Sequence, residues 1–300
     1  MQKFKYSIII PTRNRPTLLK KLISKIEVNQ NNLLEIIIVD SSDQYNKSKI
    51  LKNPKIKYVH TDQKSAAVQR NIGIKSASKK SKYVFFLDDD VSFNKNYFNS
   101  LIDTLNINNA VGASGLAINP KNNKVRTAPN GIFGTAKRIF LLDSKIEGKL
   151  LRSAVNIPCR KNQKSLSNIL EVDWLIGCAA WRSDVLKKAK FEESFKGQSL
   201  GEDVLFSNQL KKYGKIVVNK SVILDHEESD LERPNGLEFN RMWIKNRYLI
   251  SKKLKLSPLN LAFHWSNLGK ILTTIFTSKQ NRSSALNGIF CGYMEIIKKS

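Results

Sequence analysis

Tyr83-Val-Phe-Phe-Leu-Asp-Asp-Asp90 is an apolar run of five residues that ends directly on three carboxylates. Its length and its aromatic and β-branched content mark a buried strand rather than a helix. Two upstream runs have the same character: Tyr6-Ser-Ile-Ile-Ile10, and Glu35-Ile-Ile-Ile-Val39, which ends on Asp40. Continuous apolar strands of this kind are covered on both faces, as in parallel sheets. The segments between them have helical spacing. After Pro16, residues Leu18, Leu19, Leu22, Ile23 and Ile26 share one face, and Phe98, Leu101, Ile102 and Leu105 share another. Residues 64–77 also read as helix, and Ile56-Lys-Tyr-Val59 as a short strand. This alternation predicts an α/β fold with a mainly parallel central sheet flanked by helices.

Farther along, residues 119–170 are basic, rich in Asn and Lys, and weakly periodic, which predicts a long connection over the sheet. Regular structure is expected again over Val172-Asp-Trp-Leu-Ile-Gly-Cys-Ala-Ala-Trp181, in a helix after Glu202 and in a strand over 216–218. From Leu237 the pattern is helical, punctuated by Pro258 and Gly288. The expected division is therefore a catalytic domain over 1–235, with halves 1–118 and 119–235, and a basic helical extension over 236–300.

The chain has 300 residues and a formal net charge of +26. Such a field attracts polyanions: nucleic acid, anionic membrane or phosphorylated small molecules. A Lys-rich codon bias produces the same excess, so charge alone decides little. A nucleic-acid binder needs basic residues interleaved with exposed aromatics on one element. No such block occurs, and no nucleic-acid partner is expected. Cys159, Cys178 and Cys291 match neither zinc-ligand spacing nor a disulfide framework. With no signal peptide in the opening residues and no run of the ~18 to 20 apolar residues that span a bilayer, a cytoplasmic location is expected.

The chemistry concentrates at acids. Open α/β sheets bind ligands beyond the carboxyl ends of their strands, which is where Asp88, Asp89 and Asp90 stand. Crowded carboxylates repel and call for a cation, and hard oxygen ligands suit Mg²⁺ or Mn²⁺. A helix cap, the plainer reading, needs only one such residue. Asp40 is placed to accept hydrogen bonds from a nucleotide base, although Asp40-Ser-Ser-Asp43 is also good turn chemistry. Gly201-Glu-Asp-Val204 opens a helix, where acids favour the helix dipole whether or not they serve as a base.

Six segments in order resemble a family 2 glycosyltransferase of GT-A fold. They are Ser7-Ile-Ile-Ile-Pro-Thr-Arg-Asn-Arg-Pro16, Ile37-Ile-Val-Asp40, Gln69-Arg-Asn-Ile-Gly73, Phe86-Leu-Asp-Asp-Asp-Val91, Trp174-Leu-Ile-Gly177 and Gly201-Glu-Asp-Val204. The resemblance covers residues 4–225 and implies an inverting enzyme that uses a UDP-, GDP- or dTDP-linked sugar. It places Pro11, Thr12, Arg13 and Asp40 around the nucleoside, and Arg70 near the ribose or pyrophosphate. Asp88 or Asp89 would contact the ribose or pair with Asp90 on the metal, and His226 would be a further ligand. Asp203 would deprotonate the acceptor hydroxyl, with Glu202 orienting the acceptor.

Family relatives imply a glycan or lipid-linked acceptor in cell-surface polysaccharide or glycolipid synthesis. A nucleotidyltransferase, the rival use of paired carboxylates, commonly carries a Gly-rich loop after the first strand, and Pro11-Thr-Arg-Asn-Arg-Pro16 has no Gly. Residues 241–300 hold eleven Lys and Arg against one acid, Glu295, with apolar residues interspersed over 259–276. That composition predicts peripheral attachment to an anionic membrane on its inner face, with Phe263 and Trp265 at headgroup level. The competing expectation is that these helices pack on the catalytic domain.

Overall fold

The structure is a computed structural model that describes residues 4–27, 32–44, 53–119, 129–160, 167–197, 199–227, 235–277 and 282–298. The chain divides into two compact units, residues 1–125 with 161–231, and residues 126–160 with 232–300. Residues 126–160, expected as part of the acceptor half, thus group with the C-terminal helices.

In the first unit, β1 (Tyr6–Thr12), β2 (Leu33–Asp40), β3 (Ile56–His60) and β4 (Tyr83–Phe86) form a parallel block in the order β3-β2-β1-β4. Every residue of β1 is buried, as its unbroken Ile run requires for a strand between two others and two helical layers. Beyond β4 the sheet is mixed. β5 (Val91–Phe93), β6 (Gly112–Ile118), β7 (Ile169–Glu171), β8 (Ala180–Arg182) and β9 (Ile216–His226) complete it, in the order β4-β8-β6-β9-β5 with β7 also on β9. The parallel pairing expected for the main part of the sheet is thus continuous over β3-β2-β1-β4. Most of Val172–Trp181, expected as regular structure, is irregular chain between β7 and β8.

Helices α1 (Pro16–Glu27), α2 (Ala66–Ser76) and α3 (Tyr97–Ile107) follow strands as anticipated. α2 is unusual in what it hides: beside Ala67, Val68 and Gly73 it buries Gln69, Arg70 and Asn71. Gln69 Nε2 donates to the carbonyls of Thr12 and Val39, 2.7 Å each, and so ties the ends of β1 and β2 to one side chain. Gly73 permits this approach, because a Cβ there would lie 2.3 Å from Ile9 Cγ2 in the central strand.

The second unit contains α4 (Gly131–Ile139), α7 (Gly236–Leu254), α8 (Leu261–Thr277) and α9 (Arg282–Ile297), while α5 (Ser183–Leu186) and α6 (Glu202–Leu210) belong to the first. Gly288 and Gly292 bring α9 against α7; a Cβ at Gly288 would meet the Leu237 carbonyl at 2.3 Å. Ile244, Phe263, Ile289 and Ile296 form the small apolar core between α7, α8 and α9. Phe263, expected at headgroup level, is fully buried there. Among the described residues no helix is long and apolar enough to cross a membrane.

Gly73→Ala tests the α2–β1 contact. Alanine gains about 1 kcal/mol of helix propensity, but overpacking against fully buried Ile9 costs about 1–3 kcal/mol. The expected result is a lower urea midpoint; an unchanged or higher midpoint means the strand gives way freely.

Candidate active site

Three strand ends deliver the site to one edge of the parallel block: Thr12 from β1, Asp40 from β2 and Asp88 just past β4. Asp40 is buried. Its Oδ1 accepts from the Ser42 amide at 2.8 Å and the Ser42 hydroxyl at 2.5 Å, and its Oδ2 accepts from Tyr58 OH. A carboxylate offers about four acceptor sites, so three bonds hold Asp40 rigid and leave one direction for a ligand. Thr12 is turned to Asp89 rather than outward, and Arg13 pairs with Asp43 at the surface, 3.3 Å. Pro11 lies within β1, paired in register with Val39.

The three consecutive acids separate by role. Asp89 accepts from Thr12 Oγ1 at 2.6 Å and from Arg15 at 3.0 Å, and burial pushes its carboxyl up to about 6 against the pull of those two groups. Asp90 divides its contacts: its Oδ2 also pairs with Arg15, 3.5 Å, while its Oδ1 faces β9. The antiparallel pairing of β5 with β9 sets Val91 opposite His226, and His226 Nε2 then lies 3.0 Å from Asp90 Oδ1. Asp88 completes the group: ligand atoms of Asp88, Asp90 and His226 all lie within 4.8 Å of one another. A hard cation with ligands about 2.1 Å away sets neighbouring ligand atoms about 3 Å apart, the spacing His226 and Asp90 already have. Two carboxylates and an imidazole suit Mg²⁺ or Mn²⁺, so the residues fit the ion that the resemblance implies.

Beneath this group lies Arg70, 4% exposed. Its Nη2 donates to Asp88 Oδ1 at 2.7 Å and its Nη1 to Glu202 Oε1. Burial works against the charge, but Glu202 and Asp88 hold the guanidinium above its ordinary value. Arg70 was expected at the ribose or pyrophosphate; the structure instead engages it with two acids inside the protein. Gly177 makes room, since a Cβ there would lie 2.7 Å from Arg70 Nη2. Cys178 Sγ accepts from the Asp88 amide at 3.2 Å and steadies the same turn.

Glu202 and Asp203 occupy the first turn of α6, whose preceding residue Gly201 has φ 91°, a backbone conformation that favours glycine. Burial pushes the Glu202 carboxyl upward while Arg70 pulls it back. Asp203 is only half-buried, and its Oδ1 accepts from the Val204 amide at 2.9 Å. Burial, opposed by Arg70, raises it to about 6. An aspartate poised there is ionised at neutral pH yet basic enough to take a proton. Sequence reading gave no role to Arg15, Gln69, Tyr58 or Cys178. Gln69 carries the clearer signal, a polar residue in a buried stretch of α2, whereas Arg15 lies in the partly exposed turn after β1.

The family described as Glycosyl transferase family 2 matches residues 7–160 of the chain. Among curated proteins, an uncharacterised glycosyltransferase of Rickettsia conorii is 30% identical over 43% of this chain and 22% of its own length. The minor teichoic acid biosynthesis protein GgaA of Bacillus subtilis is 28% identical over 75% of this chain and 48% of its own. The chain thus spans less than half the length of either. Of solved structures, S. aureus TarS 1-349 superposes with a TM-score of 0.52 at 14% identity, covering 99% of this chain and 83% of that one. GalNAc-T7, solved with UDP, GalNAc and Mn²⁺, gives 0.59 at 14% identity, covering 90% and 55%. Identities this low carry the GT-A fold and nothing more.

The raised Asp203 makes a stability prediction whose sign is fixed. An acid whose folded value is above its unfolded one stabilises the fold at low pH and loses that contribution as pH rises through the folded value. Asp203→Asn removes the charge that the fold disfavours. Its melting temperature should match wild type near pH 4 and exceed it increasingly through about pH 6, measured without added metal. An advantage that is constant with pH would show that Asp203 is not raised.

Proposed function

The chain belongs to glycosyl transferase family 2 and is a glycosyltransferase, and we propose that it is an inverting, metal-dependent one acting in cell-surface polysaccharide or glycolipid synthesis. The observation that carries this reading is the placement of Asp88, Asp90 and His226 at one strand edge, with Asp203 held across Arg70 and Glu202 from them. The donor is a nucleoside-diphosphate sugar. A UDP sugar is the first candidate: TarS has been solved with UDP-GlcNAc and GalNAc-T7 with UDP and Mn²⁺. The acceptor is a hydroxyl of a glycan or lipid-linked polymer, a class consistent with the teichoic acid role in the name of GgaA.

Thr12 and Asp40, the last residues of β1 and β2, line the nucleoside end of the site, with Pro11 before Thr12 in the strand and Arg13 just after it. Asp88, Asp90 and His226 would hold Mg²⁺ or Mn²⁺ where the diphosphate lies, while Asp89 is kept by Thr12 and Arg15 as a support of that turn. A bound divalent cation supplies positive charge that stabilises the diphosphate as it leaves. Asp203, ionised, takes the proton from the acceptor hydroxyl. The oxygen then attacks the anomeric carbon from the face opposite the diphosphate, the carbon–oxygen bond to the diphosphate breaks, and the configuration inverts. Glu202 is a positioning residue, since it fixes the start of α6 to Arg70 and so aims Asp203.

Calorimetry with UDP tests the donor side: Mn²⁺ should tighten binding, and Asp90→Asn should remove about tenfold or more of that gain, because loss of even an outer-shell group commonly costs 10- to 100-fold. Equal affinity with EDTA and with Mn²⁺ would remove the metal from the account. On the acceptor side, Asp203→Asn should keep UDP binding and reduce turnover about a hundredfold or more. Wild-type turnover should rise with pH through about 6 and level off. Near-normal turnover in Asp203→Asn would reduce this motif to a helix start.

A further inference from the structure

α8 faces the wrong way for a helix of a water-soluble bundle. Its buried side holds Ser266, Asn267 and Thr274 beside Phe263, while Leu261, Trp265, Leu268 and Phe276 are exposed. The outward residues follow one another at intervals of four, three and eight positions, which is one continuous face of a helix. The inversion has a cause within the second unit. Arg247 of α7 is buried and donates to Asn267 Oδ1 at 2.7 Å, to Ser266 Oγ and to the Ser153 carbonyl at 2.5 Å, and its guanidinium lies 4.0 Å from the Trp243 ring. Burial with neutral partners pushes it down to about 9. α8 therefore turns its polar residues inward to solvate Arg247, and its apolar residues are left outside.

The exposed stripe continues onto α4. Trp265 Nε1 donates to the Ile139 carbonyl at 2.8 Å, the Phe140 and Trp265 rings lie 4.8 Å apart, and Gly269 lets Phe140 sit against α8. On α4, Ile132 and Phe133 are 88% and 53% exposed. Apolar surface gathered on two packed helices marks an interaction site. Charge says which kind. Over residues 126–160 and 232–300 there are 19 Lys and Arg against 5 Asp and Glu, so this unit carries +14 of the chain's +26. Lys137 and Arg138 lie in the last turn of α4 itself. Two copies meeting on this face would bring like charge together, whereas an anionic surface is its complement.

We propose that the α4–α8 face is a monotopic docking surface for an anionic lipid bilayer, with Leu261, Trp265, Leu268 and Phe276 of α8 and Ile132 and Phe133 of α4 entering the headgroup region. This differs from the membrane site expected from sequence, which lacked α4 and counted Phe263. It does not rest on the donor chemistry, and it needs no spanning segment: apolar burial and basic attraction together give reversible attachment.

The test is flotation of the full chain with phosphatidylglycerol/phosphatidylcholine vesicles and with pure phosphatidylcholine vesicles, at low and high salt. Binding should require the anionic lipid, weaken in salt, and fall about tenfold or more in Phe133→Glu/Leu268→Glu. Both side chains are exposed, so that variant should keep the wild-type melting temperature and UDP affinity. If it unfolds, Phe276→Glu alone reads the same face. Absence of flotation at low salt would overturn the proposal. So would flotation indifferent to the glutamates, which would leave only non-specific basic attraction. A wild-type dimer in sedimentation equilibrium that Leu268→Glu converts to monomer would assign the face to a second copy instead.

Discussion

A single buried guanidinium holds together two acids that would otherwise repel each other. Arg70 pairs with Asp88 on one side and Glu202 on the other. Removing either partner from such an arrangement leaves a charge uncompensated in a poorly solvated place, typically at 3–5 kcal/mol. The constraint propagates outward. α2 must bury polar residues to carry Arg70, Gly73 must let α2 close on β1, Gly177 must lack a side chain, and Gly201 must turn the chain into α6. Four local irregularities of sequence thus have one physical origin.

The same arrangement separates acids by environment rather than by residue type. Asp88 and Asp90 face His226, Asp89 is withdrawn to Thr12 and Arg15, Glu202 is held by Arg70, and Asp203 alone at the head of α6 is half-open. Carboxylates pushed to different protonation behaviour by their surroundings are what a site needs when one group must stay charged and another must accept a proton. In the second unit a different guanidinium plays a comparable organising part. Arg247 draws Ser266 and Asn267 inward, and the apolar side of α8 is displaced to the surface.

Much of the parallel β1–β4 half was legible because its signals are local. The Ile runs of β1 and β2, the Tyr83–Leu87 run and the helical spacing after Pro16 each specify their element without reference to distant chain. What was illegible depends on pairings far apart in sequence. Which of Asp88 and Asp89 stands with Asp90 is decided by contacts to Thr12 and Arg15, more than seventy residues away. The place of Arg70 is decided by Glu202, 132 residues on. The grouping of 126–160 with the C-terminal helices, and the burial of Phe263, follow from helix packing that weak periodicity in that stretch did not reveal. His226 was named only by resemblance; the pairing of β5 with β9 now gives it a geometric reason to stand at Asp90.

The proposed donor chemistry stands on Asp88, Asp90 and His226, and not Asp89, holding the cation at which a nucleoside diphosphate would bind. Crystals grown with UDP and Mn²⁺, measured at the manganese absorption edge, address it directly. One anomalous peak is expected within bonding distance, about 2.0–2.3 Å, of Asp90 and His226, close to Asp88 and in contact with the diphosphate, with Asp89 still on Thr12 and Arg15. A peak coordinated by Asp89, or a diphosphate bound with no manganese beside it, would contradict it.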